Sequence, residues 1–134
     1  MDKVAHILLL VDDEAPIRQL AAMALENAGY VALQAHDPNE AAAIWSERRK
    51  EISLLLCDVF LPGLSGPELA AELVADRPDL AVVFMSGAGI DAAAPLSNLI
   101  GRRKFLQKPF TSSHLLEVVA EALNARGKSL AGKR

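Results

Sequence analysis

The chain has 134 residues, 51% of them hydrophobic and 4% aromatic, which supplies one compact core and too little for two ordinary domains. A formal net charge of −3 lacks the basic excess that a phosphate-binding surface needs, so nucleic acid is not an expected partner. Cys57 is the only cysteine, which excludes an intrachain disulfide, and no apolar stretch approaches the roughly 20 residues of a membrane span.

The first element is the apolar run Ile7-Leu8-Leu9-Leu10-Val11, ended by Asp12 and Asp13. Such runs with little polar alternation suit strands buried on both faces, the habit of parallel sheets covered by helices. From Ala15 the period changes. Ile17, Leu20, Ala21, Ala24, Leu25 and Ala28 recur at three and four residues, and Gly29 follows as a stop, so the pattern predicts a first helix. Residues 30–35 read as a second strand. Asp37-Pro38-Asn39-Glu40 then offers an N-cap acid, a proline at the first helical position and a glutamate three residues after the cap, opening a second helix to about Arg49.

Residues 52–57 form a third apolar run, ended by Asp58. After a loop rich in Pro and Gly, Ser65-Gly66-Pro67-Glu68 predicts another capped helix, reaching about Asp76. Residues 80–85 are a fourth strand, 104–107 a shorter fifth, and Thr111 caps a last helix with Leu115, Val118, Val119, Ala122 and Leu123 on one face. Between 87 and 103 the Gly, Ala and Pro95 content predicts a short or irregular fourth helix, because proline removes a donor and clashes with the preceding turn.

A β-then-α order repeated about five times implies a doubly wound five-stranded parallel sheet of order 2-1-3-4-5, flavodoxin-like, with helices on both faces. The expected organisation is one domain over residues 1–125 and a flexible polar tail over 126–134. No output domain fits in that tail, so the expectation is either a stand-alone module or a piece of a larger protein. The N-terminus carries no signal-peptide pattern, and the expected location is the cytoplasm.

Five polar groups fall at one edge of this sheet: Asp12 and Asp13 after strand one, Asp58 after strand three, Ser86 after strand four and Lys108 after strand five. Strands one and three are neighbours at the topological switch point, where the three carboxylates converge. They cannot all stay ionised without compensation, and all-oxygen ligation suits Mg²⁺, with Mn²⁺ as a substitute. A metal, an ammonium and a hydroxyl around one carboxylate make a phosphoryl-transfer site, with Asp58 as nucleophile and Lys108 and Ser86 on the phosphoryl oxygens.

The weaker readings are local. An acid after a strand is often only a helix cap, and Asp13 alone could begin the first helix. His6, His36 and His114 have no ligand spacing and suit the surface. Trp45 suits packing of the second helix on the sheet, and Cys57 suits a core position on the strand face opposite Asp58.

The sequence resembles the receiver domain of bacterial two-component response regulators over about residues 6–124. The resemblance rests on Val11-Asp12-Asp13-Glu14, on Asp58-Val59-Phe60-Leu61-Pro62-Gly63, on Met85-Ser86-Gly87 and on Lys108-Pro109-Phe110, each at its strand end. It implies that Asp58 is the phosphoacceptor in a phosphorelay, that Asp13 and Asp58 ligate Mg²⁺ directly with the Phe60 carbonyl, and that Asp12 acts through water. It also implies that Ser86 and Phe105 form the switch, moving the surface of helix four, strand five and helix five. The implied partners are a sensor histidine kinase or histidine phosphotransfer protein and a downstream protein target. The module is a monomer or a phosphorylation-dependent dimer, a switch more than an enzyme.

The chain departs from the family pattern in three places. Phe105 lacks the hydroxyl of the tyrosine often found there, and neither Phe60 nor Ala88 can orient an attacking water, which predicts slow-to-intermediate self-dephosphorylation. Rival readings are a metal-dependent aspartyl-phosphate phosphatase of the haloacid dehalogenase type, a flavodoxin-like cofactor binder and a degenerate receiver serving as an interaction module. The first wants a second Asp where Phe60 stands. The second would set Asp12 and Asp13 against a flavin phosphate, and intact Asp58 and Lys108 speak against the third.

Overall fold

The structure, a computed structural model, describes residues 5–88, 91–101 and 103–132. Its elements run β1 (Ile7–Val11), α1 (Ala15–Asn27), β2 (Val31–Ala35), α2 (Pro38–Arg48), β3 (Ile52–Asp58) and α3 (Gly66–Asp76). The second half holds β4 (Ala81–Ser86), a 3₁₀ segment (Asp91–Leu96), α4 (Ser97–Ile100), β5 (Lys104–Gln107) and α5 (Ser112–Gly132). The strands pair in parallel in the order β2-β1-β3-β4-β5, as the alternation of apolar runs and helical periods predicts.

The apolar runs work because alternate residues serve different cores. Leu9, Val11, Leu55, Cys57, Val82 and Phe84 join Trp45, Leu69 and Leu73 of α2 and α3 on one face. Leu8, Leu10, Leu54, Leu56, Val83 and Met85 join Ala21, Leu25, Leu115 and Val119 of α1 and α5 on the other. Both faces of β1, β3 and β4 are therefore dry, and only the strand ends meet solvent. Cys57 sits in the core as expected, and Trp45 docks α2 on the sheet while its indole N–H donates to Asp76 Oδ2 at 2.8 Å.

The helix starts follow their caps. Ser65 Oγ accepts from Glu68 N and Glu68 Oε1 accepts from Ser65 N, each at 3.2 Å, a complete capping box on α3. At α2, Asp37 Oδ1 accepts from Glu40 N at 2.8 Å, but the Glu40 carboxylate reaches past the cap to the N–H of His36. Thr111 Oγ1 accepts from His114 N at the start of α5. Gly29, at φ +100°, lets the chain turn from α1 into β2.

The stretch expected to be irregular is a 3₁₀ segment containing Pro95, followed by the four residues of α4; positions 89, 90 and 102 lie outside the described residues. The span expected as a flexible tail begins inside α5. α5 continues to Gly132, and Arg126 is tied down, its Nε donating to Asp79 O at 2.8 Å and its Nη2 to Asp79 Oδ2 at 3.1 Å. A polar composition did not reveal that the first tail residue has a partner in the loop before β4. Among the described residues, no helix is long and apolar enough to cross a membrane.

Candidate functional site

The core of the described residues admits four polar or charged side chains: Asp12, Asp58, Ser86 and Lys108, each no more than 6% exposed. All four lie at the carboxyl edge of the sheet, where β1, β3, β4 and β5 end. Burial of that many polar groups at one edge is costly unless each finds a partner. The partners converge on one ammonium. Lys108 Nζ donates to Asp58 Oδ2 at 2.6 Å and to Glu14 Oε1 at 2.8 Å, and Asp12 Oδ2 lies 2.8 Å away.

Each member is held by backbone. Asp58 is the last residue of β3, and its Oδ1 accepts the Phe60 N–H at 3.0 Å. Asp12 Oδ1 accepts the Glu14 N–H at 2.9 Å, while Arg18 Nη1 donates to the Asp12 carbonyl at 2.8 Å and fixes the β1–α1 loop. The Lys108 N–H donates to the Ser86 carbonyl at 3.0 Å, so the hydroxyl and the ammonium share one clamp, and Ser86 Oγ accepts the Ala88 N–H at 3.0 Å. Gly66 matters here because a Cβ on it would sit 2.0 Å from the Asp58 carbonyl oxygen. Only glycine lets the first turn of α3 seat against the strand end that carries Asp58.

Burial pushes the Asp58 carboxyl up, against the Lys108 and Phe60 N–H hydrogen bonds that favour its ionised form. Burial also works against the Lys108 charge, but its contacts with Asp12, Asp58 and Glu14 outweigh that and hold the ammonium well above its ordinary range. Lys108 thus sits as one ammonium among three acid side chains. Asp12 Oδ2 is close to it yet outside hydrogen-bond geometry, a buried acceptor with no directed donor.

That orphaned oxygen and its neighbours suit a cation. Oxygens of Asp12, Glu14 and Asp58 all lie within 4.8 Å of one another, a hard all-oxygen donor set. The sequence expectation named Asp12, Asp13 and Asp58. In the structure Asp13 is exposed and lines a neighbouring cleft of about 650 Å³ with His36, Asp37 and Pro62, outside this group. Glu14 is the third acid of the group around Lys108. Its signal was visible as a third consecutive acid, but no sequence pattern says which of three adjacent acids faces Lys108.

Phe60 follows Asp58 with its side chain 45% exposed. Phe105 is half-buried opposite Phe84 across the β4–β5 pair and packs on the α2–α3 core. Ser86 is buried at the end of β4, whereas Gly87 and Ala88 beside it are exposed.

Comparison with known proteins gives the constellation a family. The family model for the response regulator receiver domain matches residues 8–120. The chain belongs to that family. This receiver is 35% identical over 126 residues to the phosphate regulon transcriptional regulatory protein PhoB of Pseudomonas aeruginosa, covering 92% of the chain and 54% of the relative. It is 36% identical over 114 residues to the response regulator receiver protein CpdR of Brucella abortus, covering 85% of the chain and 91% of the relative. It also matches the sensor kinase CckA of Brucella abortus at 35% identity, covering 87% of the chain and 12% of the kinase. The receiver thus spans about half of the first of these relatives and a small part of the last.

Among solved structures, a receiver domain protein from Clostridium thermocellum superposes with a TM-score of 0.82 at 31% identity, covering 93% of this chain and 98% of that one. NtrX from Brucella abortus gives 0.86 at 32% identity, covering 97% of this receiver and 29% of NtrX. Receiver domains are signalling modules of two-component systems, and the acidic pocket with its buried lysine is consistent with a phosphoacceptor role.

Proposed function

We propose that this receiver accepts a phosphoryl group on Asp58 from a histidine kinase or histidine phosphotransfer protein. The carrying observation is the buried contact of 2.6 Å between Lys108 Nζ and Asp58 Oδ2, with Asp12 and Glu14 beside it. A side-chain oxygen of Asp58 attacks phosphorus, the P–N bond of the phosphoimidazole breaks, and the imidazole leaves with that bond's electron pair. Lys108 moves from carboxylate to phosphoryl oxygen and offsets the charge that accumulates there. The Phe60 N–H orients the attacking carboxylate through Oδ1, and Ser86 supplies a hydroxyl at the adjoining strand end.

Asp12 and Asp58, with the Phe60 carbonyl and with Asp13 reaching in from the adjoining cleft, would hold Mg²⁺ or Mn²⁺, which when bound would neutralise charge on the phosphoryl oxygens. Asp12 Oδ2, the buried acceptor without a directed donor, supports that reading. The output surface is the stretch from the 3₁₀ segment through α4 and β5 to α5, in which α4 has four residues and Phe105 is half-buried. A change of packing around Phe105 and Ser86 would be the switch.

The test is covalent labelling by a small phosphodonor, or capture of beryllofluoride, followed by mass and NMR in the native chain and in Asp58→Ala, with and without Mg²⁺. Labelling is expected only where both Asp58 and the metal are present. Labelling of Asp58→Ala, or of the native chain in chelator, would overturn the proposal.

A further inference from the structure

We infer that Glu14 is the displaceable ligand of Lys108: it holds the ammonium at rest and yields it to an entering phosphoryl oxygen, so its charge sets how readily small anionic donors bind. The inference rests on the receiver reading of the site and gives Glu14 a role that the reading leaves open. Three carboxylate oxygens crowd Lys108 Nζ at 2.6, 2.8 and 2.8 Å, and two of them, from Asp58 and Glu14, accept directed hydrogen bonds from it. A phosphoryl oxygen that takes up a hydrogen bond from Nζ in this crowded shell displaces one of them.

Burial decides which one leaves. The side chains of Asp12 and Asp58 are 0% and 8% exposed, so separating Lys108 from either strands a charge away from water. The Glu14 side chain is 56% exposed and can return to solvent at little cost. Its backbone is fixed, because its N–H donates to Asp12 Oδ1, while its side chain makes no cap on α1 although it occupies the N-cap position. A fixed hinge with an unencumbered carboxylate is what an exchanging ligand needs.

Glu14 also places a negative charge at the mouth through which a phosphodonor passes. One unit charge at about 5 Å in a wet crevice changes the binding of an anion by about three- to tenfold. Glu14 is a positioning and selectivity residue in this scheme, since it acts through Lys108 and the local field and does not touch phosphorus.

The experiment compares the native chain with Glu14→Gln and with Glu26→Gln, an exposed α1 residue whose substitution removes the same charge at a distance. Beryllofluoride is titrated at saturating Mg²⁺, and Mg²⁺ is titrated alone, both followed by amide NMR shifts. Glu14→Gln is expected to bind beryllofluoride about three- to tenfold more tightly and Mg²⁺ more weakly, while Glu26→Gln stays within about twofold of native. Matching behaviour of the two variants, or a shift of both ligands in one direction for Glu14→Gln, would overturn the role of Glu14. A native chain that ignores beryllofluoride at saturating Mg²⁺ would instead overturn the receiver reading itself.

Discussion

Replacing Lys108 with Met removes the cation that Asp12, Asp58 and Glu14 share. Glu14, more than half exposed, loses little, but Asp12 and Asp58 remain as buried carboxylates with no counter-charge. Breaking one buried pair costs about 3–5 kcal/mol, and entry of water at the strand edge places this case near the lower end, about 3 kcal/mol in chelator. For a chain of 134 residues that corresponds to a fall in Tm of roughly 10 °C. Urea and thermal unfolding followed by far-UV circular dichroism measure it directly. The two carboxylates are coupled through Lys108: in an Asp58→Asn background only Asp12 is stranded, so Lys108→Met should cost about half as much. A loss below about 1 kcal/mol in the native background, or an equal loss in both backgrounds, would show that the three contacts are not what holds Lys108 in place.

At the opposite edge Asp79, whose carboxyl is lowered to about 2 by hydrogen bonds from Arg77 and then Arg126, gives a pH test. Its folded value lies below the ordinary 3.8, so the stabilisation is present above about pH 4 and lost as pH falls towards 2. The full shift corresponds to about 2.4 kcal/mol, which exposure of a third of the side chain reduces to about 1; Asp79→Asn should lose that at pH 7 and match native near pH 2. Gly66→Ala drives a methyl into the Asp58 carbonyl and should cost about 2–3 kcal/mol while broadening the Asp58 and Lys108 resonances; an unchanged Tm would refute the close approach. Phe60→Asn, which puts an amide beside Asp58, should speed loss of the acyl phosphate about tenfold in a single-turnover decay, and no change would exclude water access as the limiting factor.

The sheet and its order were legible because period and burial agree along the chain: runs such as Ile7–Val11 have no polar alternation, and 3.6-residue patterns follow each one. The site was legible for a different reason, namely that the topology brings all strand ends to one edge, so position in sequence becomes position in space. What that rule cannot supply is rotation about side-chain bonds. It brought Asp12 and Asp13 to the edge but could not say that Glu14 beside them meets Lys108, nor that Gly66 packs on the Asp58 backbone. Arg126 escaped for a related reason. Its partner Asp79 lies 47 residues away in a loop, and composition carries no information about that pairing.

The two edges of the sheet are opposite solutions to the same problem. At the amino edge, Arg77 donates to the Ile52 and Arg49 carbonyls and to Asp79, and Arg49 and the Trp45 indole both donate to Asp76, so charge is matched to charge. At the carboxyl edge, one ammonium serves three acids and Asp12 Oδ2 goes without a directed donor. The excess of acids at the carboxyl edge is a deficit of positive charge, which the proposed cation would offset before an anionic phosphoryl group could enter. On the proposed function, binding at this edge would favour whichever packing of the fold best completes it, which is how a ligand shifts a two-state equilibrium.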